Sequence, residues 1–372
     1  MSWCTTSDLD RFMAAAVGYL RSRTAENILL LSAAQAARSG WRTQVAGQQA
    51  AAADPGLLFG WWEPPDGGEP RGAFVHDPPV PLLISGMTPE MAAALAATLA
   101  RMGRNVYGVD APTEVAEPFA AAWSQRAGTT VRGHKNCRVY RLTGLSHGTQ
   151  PQGTQPQGTQ PRGTLSRVTP PQGTPAVPGT GAWPSSEMPG PAGRLRVAGP
   201  EDLALLADWL TAFATEAAER IGSSSDLAAD LISYGGAVFL ESARGPMALA
   251  TLTRPVAGTV RIAMVYTLPE HRRGGYASAL TLAVSRALLA GTGPGDAQGI
   301  LGAASGRVNE VVMITDKNGP DRLAGRFGYQ LVGERAVLRF GQATGPLPRA
   351  RTTGAMPRLP TGPLPRPPRL SR

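Results

Sequence analysis

The stretch Val265-Tyr-Thr-Leu-Pro-Glu-His-Arg-Arg-Gly-Gly-Tyr-Ala-Ser-Ala-Leu280 joins a predicted strand to a predicted helix. The β-branched and aromatic run from Thr259 to Thr267 predicts the strand, and the helix is predicted from Tyr276 to about Leu289. Between them, Gly274 and Gly275 let the backbone turn tightly and approach a ligand closely. The unpaired N–H groups of the helix's first turn form an anion site, and two adjacent arginines suit phosphate oxygens. We therefore predict a pyrophosphate-binding loop.

The spacing of this loop excludes two familiar phosphate-binding motifs. A P-loop requires Gly-Lys-Ser/Thr at its end, and a dinucleotide fold requires three spaced glycines. The chain instead has Arg272-x-x-Gly275-x-Ala277 at this point. This pattern resembles the acyl-CoA loop of the GNAT acyltransferase superfamily, which reads Arg/Gln-x-x-Gly-x-Gly/Ala. The alternative interpretation is a plain glycine-rich turn between a strand and a helix.

A second segment strengthens the resemblance. The apolar run from Glu310 to Asp316 predicts a strand after the first helix. It is followed by Lys317-Asn-Gly-Pro320, a short predicted helix Asp321–Arg326, Phe327-Gly-Tyr329 and a last predicted strand Arg335–Phe340. This order is similar to the second half of a GNAT domain. The resemblance covers about Arg194 to Phe340 and is strongest to single-chain acetyltransferases of actinobacterial type, which carry Thr-Arg-Pro-Val-Ala-Gly as found at Thr253–Gly258.

Composition favours a reduced, cytoplasmic protein with two domains. A chain of 372 residues is long enough for two domains. No apolar run reaches the roughly 18 residues that a membrane helix needs, and the N-terminus lacks the basic and apolar regions of a secretion signal. Cys4 and Cys137, the two cysteines, make neither a disulfide framework nor a zinc array. We therefore expect no membrane association and no metal.

The basic charge is concentrated in one segment. The formal net charge is +9, and the tail from Gly341 to Arg372 carries six arginines and no acidic residue. The rest of the chain then carries only +3 (9 − 6). Nucleic-acid-binding proteins usually carry their basic patch on a folded face. We therefore interpret the charge as a solvated tail and expect no specific nucleic-acid partner.

Low-complexity sequence divides the chain into four segments. His147–Thr164 repeats Gly-Thr-Gln-Pro-Gln, and sequence of this composition cannot bury enough apolar surface to offset the entropy of ordering. Gly291–Gly306 is interpreted as an inserted glycine-rich loop. The predicted segments are a degenerate GNAT-like N-terminal domain (1–145), a disordered repeat linker (146–192), a GNAT acyltransferase domain (193–340) and a disordered Pro/Arg-rich tail (341–372).

The N-terminal half shows a similar order of elements without the loop pattern. The predicted elements are helices Leu9–Arg21 and Ala25–Arg38, strands Leu57–Trp62, Gly72–His76 and Val80–Ser85, helix Pro89–Met102, strand Asn105–Gly108, helix Thr113–Arg126 and strand Arg138–Leu145. Gly86-Met-Thr-Pro89 stands where the loop would be expected. We therefore predict that this half has no cofactor cradle, packs against the C-terminal half and walls the acceptor site.

The C-terminal half is predicted to be a mixed sheet with helices on both faces, of α/β (α+β mixed sheet) class. Ser224 or Ser225 is placed to cap the second helix. The predicted elements before the loop are strand Leu195–Ala198, helices Glu201–Arg220 and Ser225–Tyr234, and strands Ala237–Ser242, Met247–Arg254 and Thr259–Thr267.

The resemblance implies acetyl-CoA as co-substrate. The loop would hold the pyrophosphate, the edge of the strand would pair with the pantetheine amides, and a backbone N–H near Val265 or Tyr266 would face the thioester carbonyl. One such oxyanion donor is typically worth about 3–4 kcal/mol of barrier. The predicted cofactor-binding residues are Val265, Tyr266, Thr267, Arg272, Arg273, Gly274, Gly275, Tyr276, Ala277, Ser278 and Asn318.

Acyl transfer to an amine also requires a route for the amine proton. Glu241, at the end of a predicted strand, is the first candidate for the base, and a solvated carboxylate is its alternative interpretation. Glu270 is the second candidate. Arg254 would orient an acidic acceptor or pair with a neighbouring carboxylate, and His271 is interpreted as a surface residue.

One departure from the family pattern concerns the leaving thiolate. Many GNAT enzymes place a tyrosine five residues before the tyrosine of Gly-Tyr, where it protonates the thiolate. Here that position is Ala324, and Asp321 stands where an asparagine is expected. Asn318 is the nearby residue that could keep the turn's contact with CoA. General acid catalysis contributes typically about 10²–10⁴ in rate, so its loss predicts slow turnover or a changed site.

Three functional hypotheses follow. The first is an N-acyltransferase that moves an acetyl group from acetyl-CoA to a primary amine of a small molecule or peptide. The second is an acyl-CoA-binding pseudoenzyme or sensor, which the missing tyrosine favours. The third is an interaction scaffold built on the repeat linker and the basic tail.

Overall fold

The N-terminal half begins with a strand and two helices. The computed structural model describes residues 2–38, 56–144, 193–217, 219, 221–291, 301, 307–317 and 327–341. Asp8 caps the first helix, since its carboxylate accepts hydrogen bonds from the Asp10 and Arg11 N–H groups. The elements of this half are β1 (Ser2–Thr6), α1 (Leu9–Ser22), α2 (Ile28–Arg38), β2 (Leu58–Glu63), β3 (Ala73–His76), β4 (Leu82–Ile84), α3 (Pro89–Arg101), β5 (Gly108–Pro112), α4 (Thr113–Ala127) and β6 (Val131–Leu142).

The C-terminal half repeats this order. Its elements are β7 (Arg194–Val197), α5 (Leu203–Glu216), α6 (Ser224–Ser233), β8 (Ala237–Ser242), β9 (Gly245–Leu252), β10 (Thr259–Thr267), α7 (Tyr276–Ala290), β11 (Glu310–Asp316) and β12 (Gln330–Phe340). In each half a strand, two helices and three strands precede a helix and a further strand. The parallel pairs, β4 with β5 and β10 with β11, occupy corresponding positions.

The two halves share one continuous sheet. Its twelve strands run in the order β1-β2-β3-β4-β5-β12-β6-β11-β10-β9-β8-β7. The last strand of each half therefore lies beside the other half: β6 pairs with β11, and β12 pairs with β5. The two exchanged strands also pair with each other from Gln330 to Phe340. This exchange joins the halves through main-chain hydrogen bonds.

A buried ion pair links the exchanged strand β12 to β5. Arg335 on β12 donates from Nε to the Asp110 carboxylate on β5 at 2.8 Å, and from Nη2 to the Asp110 carbonyl at 2.9 Å. The Arg335 side chain is only 2% exposed. The pair therefore links β12 to the N-terminal half. Removing one partner of such a pair would leave an uncompensated buried charge.

Helices cover both faces of the sheet. On β11, Val311 and Met313 pack with α7, whereas Val312 packs against Ile28 of α2 on the opposite face. On β8, Val238 belongs to the α7 core and Phe239 to the core beneath α5 and α6. Helices α2, α5 and α6 therefore share one face, opposite α7. The predicted α/β class with helices on both faces is confirmed.

The element boundaries differ from the sequence predictions in several places. Strand β1 was not predicted, and β5 begins at Gly108, where the predicted strand ends. Strand β6 starts seven residues before the predicted Arg138, because its polar first half pairs with β12. The long helix predicted to Arg220 is assigned as helix only from Leu203 to Glu216, after a short 3-10 turn. Ser223, rather than Ser224 or Ser225, caps α6 by accepting from the Asp226 N–H.

Several predictions fall outside the described residues. They concern the repeat linker, most of the loop 291–306, the helix at 321–326 and the C-terminal tail. Within the described parts of the chain, no helix is long and apolar enough to cross a membrane.

Candidate active site

The candidate site begins at an irregularity in β10. Ile262 pairs with Leu252 and Met264 pairs with Thr251 on β9, so Ala263 is an extra residue in the ladder. Such a β-bulge re-aims side chains and interrupts the hydrogen-bond ladder. Before the bulge, Ile262 faces α7; after it, Met264 faces α5 and α6. Ala263 and Met264 consequently line the same cavity on the α5 side.

Strands β10 and β11 separate just beyond the bulge. Their parallel pairing ends at Ile262 and Met313, although β10 continues to Thr267 and β11 to Asp316. The end of β11 stays paired with β6, while the end of β10 stays paired with β9. The edge of β10 from Met264 to Thr267 is therefore open toward β11. An extended ligand arm with amide groups can pair with such an edge.

The backbone of the predicted loop turns sharply at Arg273 and Gly275. Arg273 has φ 63° and Gly275 has φ 84°, and this left-handed conformation is costly for side chains other than glycine. At Gly274, a Cβ would lie 2.8 Å from the ring of Tyr276, so a larger residue would require that side chain to move. The glycines thus shape the turn that starts α7.

The start of α7 is open on its N–H side. Gly275 is the N-cap residue, and no side chain of the described residues caps the helix there. The first hydrogen bond of the helix runs from the Ala279 N–H to the Gly275 carbonyl at 3.0 Å. The preceding N–H groups of the first turn have no partner within the helix and carry the positive end of its dipole. This arrangement can accept an anion.

Arg272 makes contacts within the protein that the sequence did not predict. Its Nη2 donates to both oxygens of Glu216 on α5, at 2.7 and 2.9 Å, and its Nε donates to the Thr267 carbonyl at 3.0 Å. The guanidinium therefore spans the loop and α5 rather than standing free for phosphate. Arg273, the next residue, is exposed, and no ion pair to another described residue engages it.

The remaining predicted cofactor residues lie along this strand, loop and helix. Val265 packs toward α7, Tyr266 is buried on the α5 side, and the Thr267 hydroxyl is buried without a hydrogen-bond partner among the described residues. Tyr276, Ala277 and Ser278 form the half-buried first turn of α7. Asn318, together with Asp321 and Ala324, lies outside the described residues.

Glu241 lies away from the loop, at the outer edge of the sheet. Its carboxylate accepts from Arg194 Nη2 and from Arg196 Nε, both at 3.1 Å. Arg194 and Arg196 belong to β7, the terminal strand, and β9 separates Glu241's strand β8 from β10. Since two arginines hold the carboxylate in place, this geometry favours a structural ion pair over the predicted role as general base.

Arg254 adopts the second of its two predicted alternatives. Its guanidinium donates to the two oxygens of Asp230 at 2.8 and 2.9 Å and stacks over the Tyr234 ring at 4.0 Å. The hydrogen bonds to Asp230 raise the pKa of Arg254. Arg254 therefore pairs with a neighbouring carboxylate at the wall of the cavity.

A cavity of about 440 Å³ lies between the halves on the face opposite α7. Helix α2 contributes one wall, and α5, α6, β9 and β10 contribute the others. A second cavity of about 380 Å³ adjoins it, and the two share Ala33, Ala36, Leu83, Glu219 and Arg261. Because Ala263 and Met264 line the larger cavity, it opens beneath the bulge and offers space for a small molecule.

Sequence reasoning missed Arg261 as a candidate site residue. It lies on β10 two residues before the bulge and lines both cavities. The feature of the sequence that could have identified it is that Arg261 is the one charged residue in the predicted strand Thr259–Thr267. Among the described residues, no group of three or more His, Cys, Asp or Glu side chains is placed to hold a metal ion.

Comparison with known proteins bears on the fold. No protein-family model and no curated protein matches the sequence. An X-ray structure of a Drosophila protein matches 91% of this chain and 98% of its own, with a TM-score of 0.51 and 13% identity. A GCN5-related N-acetyltransferase from Sphaerobacter thermophilus matches 91% of this chain and 95% of its own, with a TM-score of 0.47 and 14% identity. A tandem GNAT protein from the clavulanic acid biosynthesis pathway matches 91% of this chain and 98% of its own, with a TM-score of 0.42 and 13% identity.

The order of the helices and strands also defines the fold. Each half contains a parallel strand pair with a helix between its two strands, and in the C-terminal half those strands separate beside a glycine turn. The Drosophila structure shares this fold across most of the chain. The chain therefore shares its fold with the Drosophila structure, and its N-terminal half contains a modified second copy of the same order of elements.

Proposed function

We propose that the protein is an N-acyltransferase that moves an acetyl group from acetyl-CoA to a primary amine. The observation that carries this proposal is the combination of a bulged, open-edged β10 with an uncapped helix start at Gly275. The helix start offers N–H groups to a diphosphate, and the strand edge offers amide pairing to an extended arm. The bulged part of β10 lines the cavity between the halves.

The residues present fit CoA in most respects. The left-handed turn at Arg273 and Gly275 brings the backbone to the helix start without an obstructing cap, and the exposed Arg273 adds positive charge. Arg272 fits less directly, because a diphosphate would have to share it with Glu216. Bound acetyl-CoA would supply the thioester whose acyl group is transferred.

The bulge at Ala263 is the natural place for the reacting carbonyl. A bulged residue leaves the regular ladder, so its N–H is not committed to the neighbouring strand. A backbone donor aimed at developing negative charge contributes about 3–4 kcal/mol of transition-state stabilisation. This position lies two residues before the predicted Val265 and directly against the acceptor cavity.

The cavity carboxylates are poorly placed to remove the amine proton. Asp230 is held by Arg254, and Glu219 accepts from Lys135 at 2.9 Å. Both carboxylates are therefore already engaged by a cation and are not free to contact an amine. We therefore propose that water in the cavity, rather than Glu241 or these two residues, carries the proton away from the amine.

A second function is an acyl-CoA-binding pseudoenzyme. Ala324 replaces the tyrosine that would protonate the leaving thiolate, and Arg272 is already engaged by Glu216. Such a protein would bind acetyl-CoA at the same loop and turn it over slowly or not at all. The exchanged strand β12 would then link ligand binding in one half to the position of the other.

One experiment separates these two functions. Thermal unfolding is measured with and without acetyl-CoA, and free-thiol release is then followed over a panel of amines. Stabilisation with amine-dependent thiol release supports the transferase. Stabilisation without thiol release supports the pseudoenzyme, and the absence of any stabilisation would overturn both.

A further inference from the structure

Arg261 places a charge at the junction of the two cavities. Residues on β10 before the bulge alternate, so Val260 and Ile262 face α7 while Arg261 faces the cavities between the halves. Along a strand, two residues span about 7 Å. The guanidinium therefore projects into the acceptor space from a backbone position about 7 Å from the bulged Ala263.

This guanidinium lacks a partner in the described part of the chain. Its Nε is buried and makes no hydrogen bond there. The carboxylates whose charges act on it are bound to other cations: Asp110 to Arg335 at 2.8 Å, and Glu219 to Lys135 at 2.9 Å. Burial lowers the pKa of Arg261, yet a guanidinium stays protonated in proteins. The partly buried side chain thus keeps an unpaired donor against the cavity, and such a group in a cleft is a candidate for ligand binding.

A second unsatisfied polar atom faces the same cavity from the other half. The Ser32 hydroxyl on α2 is buried without a hydrogen-bond partner among the described residues, and Ser32 lines the larger cavity. Buried hydroxyls in proteins are normally hydrogen-bonded. Arg261 and Ser32 thus supply a charged donor and a neutral donor to one cavity from different halves of the protein, and both can bind an anionic group.

The larger cavity is otherwise mostly apolar, and the other charged residues that line it, Glu219, Asp230 and Arg254, are held in ion pairs. Its walls include Leu29, Leu210, Phe213, Ile221, Leu227 and Met264. Its volume of about 440 Å³ lies in the range of small-molecule sites, which combine apolar walls with a few placed polar groups. The ligand that matches this lining has one carboxylate and an apolar body.

The geometry points to Arg261 as the residue that binds the carboxylate of the acceptor, so that the acceptor is a small amino acid-like amine with an apolar side chain. This inference rests on the proposed function, since it names the substrate class of the same site. A planar guanidinium binds a carboxylate through two parallel hydrogen bonds. With the carboxylate held there, the neighbouring amine can approach the bulge at Ala263.

The test uses matched pairs of acceptors on the full-length protein. The probes are L-leucine and L-phenylalanine, each compared with its carboxamide and with the corresponding amine that lacks the carboxylate. Amine-dependent thiol release from acetyl-CoA gives kcat/KM, and titration calorimetry gives binding of the same probes. We expect the free acids to be preferred about 10–100-fold, as a charge-assisted contact would give.

Variants assign this preference to Arg261. Arg261→Gln should abolish the preference for the acids and leave acetyl-CoA binding intact. Arg261→Lys should retain part of the preference, because the positive charge remains while the two parallel hydrogen bonds of the guanidinium are lost. Ser32→Ala should weaken acid binding by a smaller factor. Arg244→Gln, in an exposed turn between β8 and β9, is the matched control and should change nothing.

The outcomes separate this inference from the proposed function. Equal use or binding of acids and amides, no binding of either, or an unchanged preference in Arg261→Gln would overturn the inference. Acid-selective binding that Arg261→Gln removes supports the inference even where no thiol is released. Failure of acetyl-CoA to bind would count against the proposed function alone. Circular dichroism of each variant checks that it is folded.

Discussion

The two halves of the molecule place the same elements around two different helix starts. In the N-terminal half, β4 has three residues, and the Thr88 hydroxyl accepts from the Met91 N–H to cap α3. Pro89 occupies the first helical position and has no N–H to offer. In the C-terminal half, β10 has nine residues, and α7 starts at Gly275 without a cap from any side chain that the structure describes.

This difference shows how one fold supports or closes an anion site. In the N-terminal turn, side chains of the protein make hydrogen bonds to the backbone. The Tyr19 hydroxyl donates to the Gly86 carbonyl, and the Ser85 hydroxyl accepts from the Ala73 N–H. The C-terminal turn leaves its N–H groups without such side chains and adds a bulge and an open strand edge. Local capping chemistry, rather than fold, distinguishes the two starts.

The largest expected effect is on the unfolding free energy, and it tests whether the contacts between the two halves stabilise the protein. Asp110→Asn removes the partner of the buried Arg335 on the exchanged strand β12, and such a loss typically costs about 3–5 kcal/mol of unfolding free energy. The measurement is chemical denaturation of the variant. Asp66→Asn, at an exposed pair with Arg71, is the control and should change stability by less than about 0.5 kcal/mol. A similar small effect for Asp110→Asn would show that the exchange contributes little.

The next effect tests the two helix starts directly. Gly275→Asp should reduce acetyl-CoA affinity about 100-fold, because it adds a like charge and a Cβ at φ 84°. Gly86→Asp, at the corresponding turn of the N-terminal half, has open space for its Cβ and should leave affinity unchanged. Calorimetric titration with acetyl-CoA measures both. Equal effects at the two turns would show that CoA does not bind at α7.

A moderate effect is expected from the arginine that joins the loop to α5. Arg272→Ala should weaken acetyl-CoA binding about tenfold, and the loss should shrink at high salt because the contact is exposed. Glu216→Gln releases Arg272 and should tighten binding a few-fold, in keeping with the roughly 0–1 kcal/mol of an exposed ion pair. Affinity measured at two ionic strengths tests this. If neither variant changes affinity, Arg272 serves the loop's structure alone.

The smallest effect concerns the N-terminal cap. Thr88→Ala should lower the unfolding free energy by about 1 kcal/mol through loss of the α3 cap and should not change acetyl-CoA affinity. Denaturation and calorimetry on the same preparation give both quantities. A change in acetyl-CoA affinity would mean that the N-terminal turn takes part in cofactor binding.

Local sequence patterns predicted the strand and the helix start that form the candidate site. The bounds of β10 agree with the prediction at Thr259 and Thr267, and α7 starts at the predicted Tyr276, because β-branched alternation and adjacent glycines are short-range signals. Strand β1 was missed because Ser2–Thr6 is short and largely polar. The early start of β6 was missed because Val131–Asn136 owes its strand conformation to pairing with β12.

Long-range pairing accounts for what sequence could not predict about the site. The ion pairs Glu241–Arg194, Arg254–Asp230 and Arg272–Glu216 join residues on different elements, so their spacing in the chain gives no signal. Arg261 became a candidate only once the structure showed both cavities and the partners of Asp110 and Glu219. The roles predicted for Asn318 and Ala324 stay predictions.

The exchange of β6 and β12 has a consequence for a protein cleaved between the halves. A protease cut anywhere within 146–192 would yield two fragments, each with its final strand hydrogen-bonded inside the other. The nicked protein should therefore migrate as a single species under native conditions and separate only in denaturant. Covalent continuity of the connecting segment is dispensable once the sheet has formed.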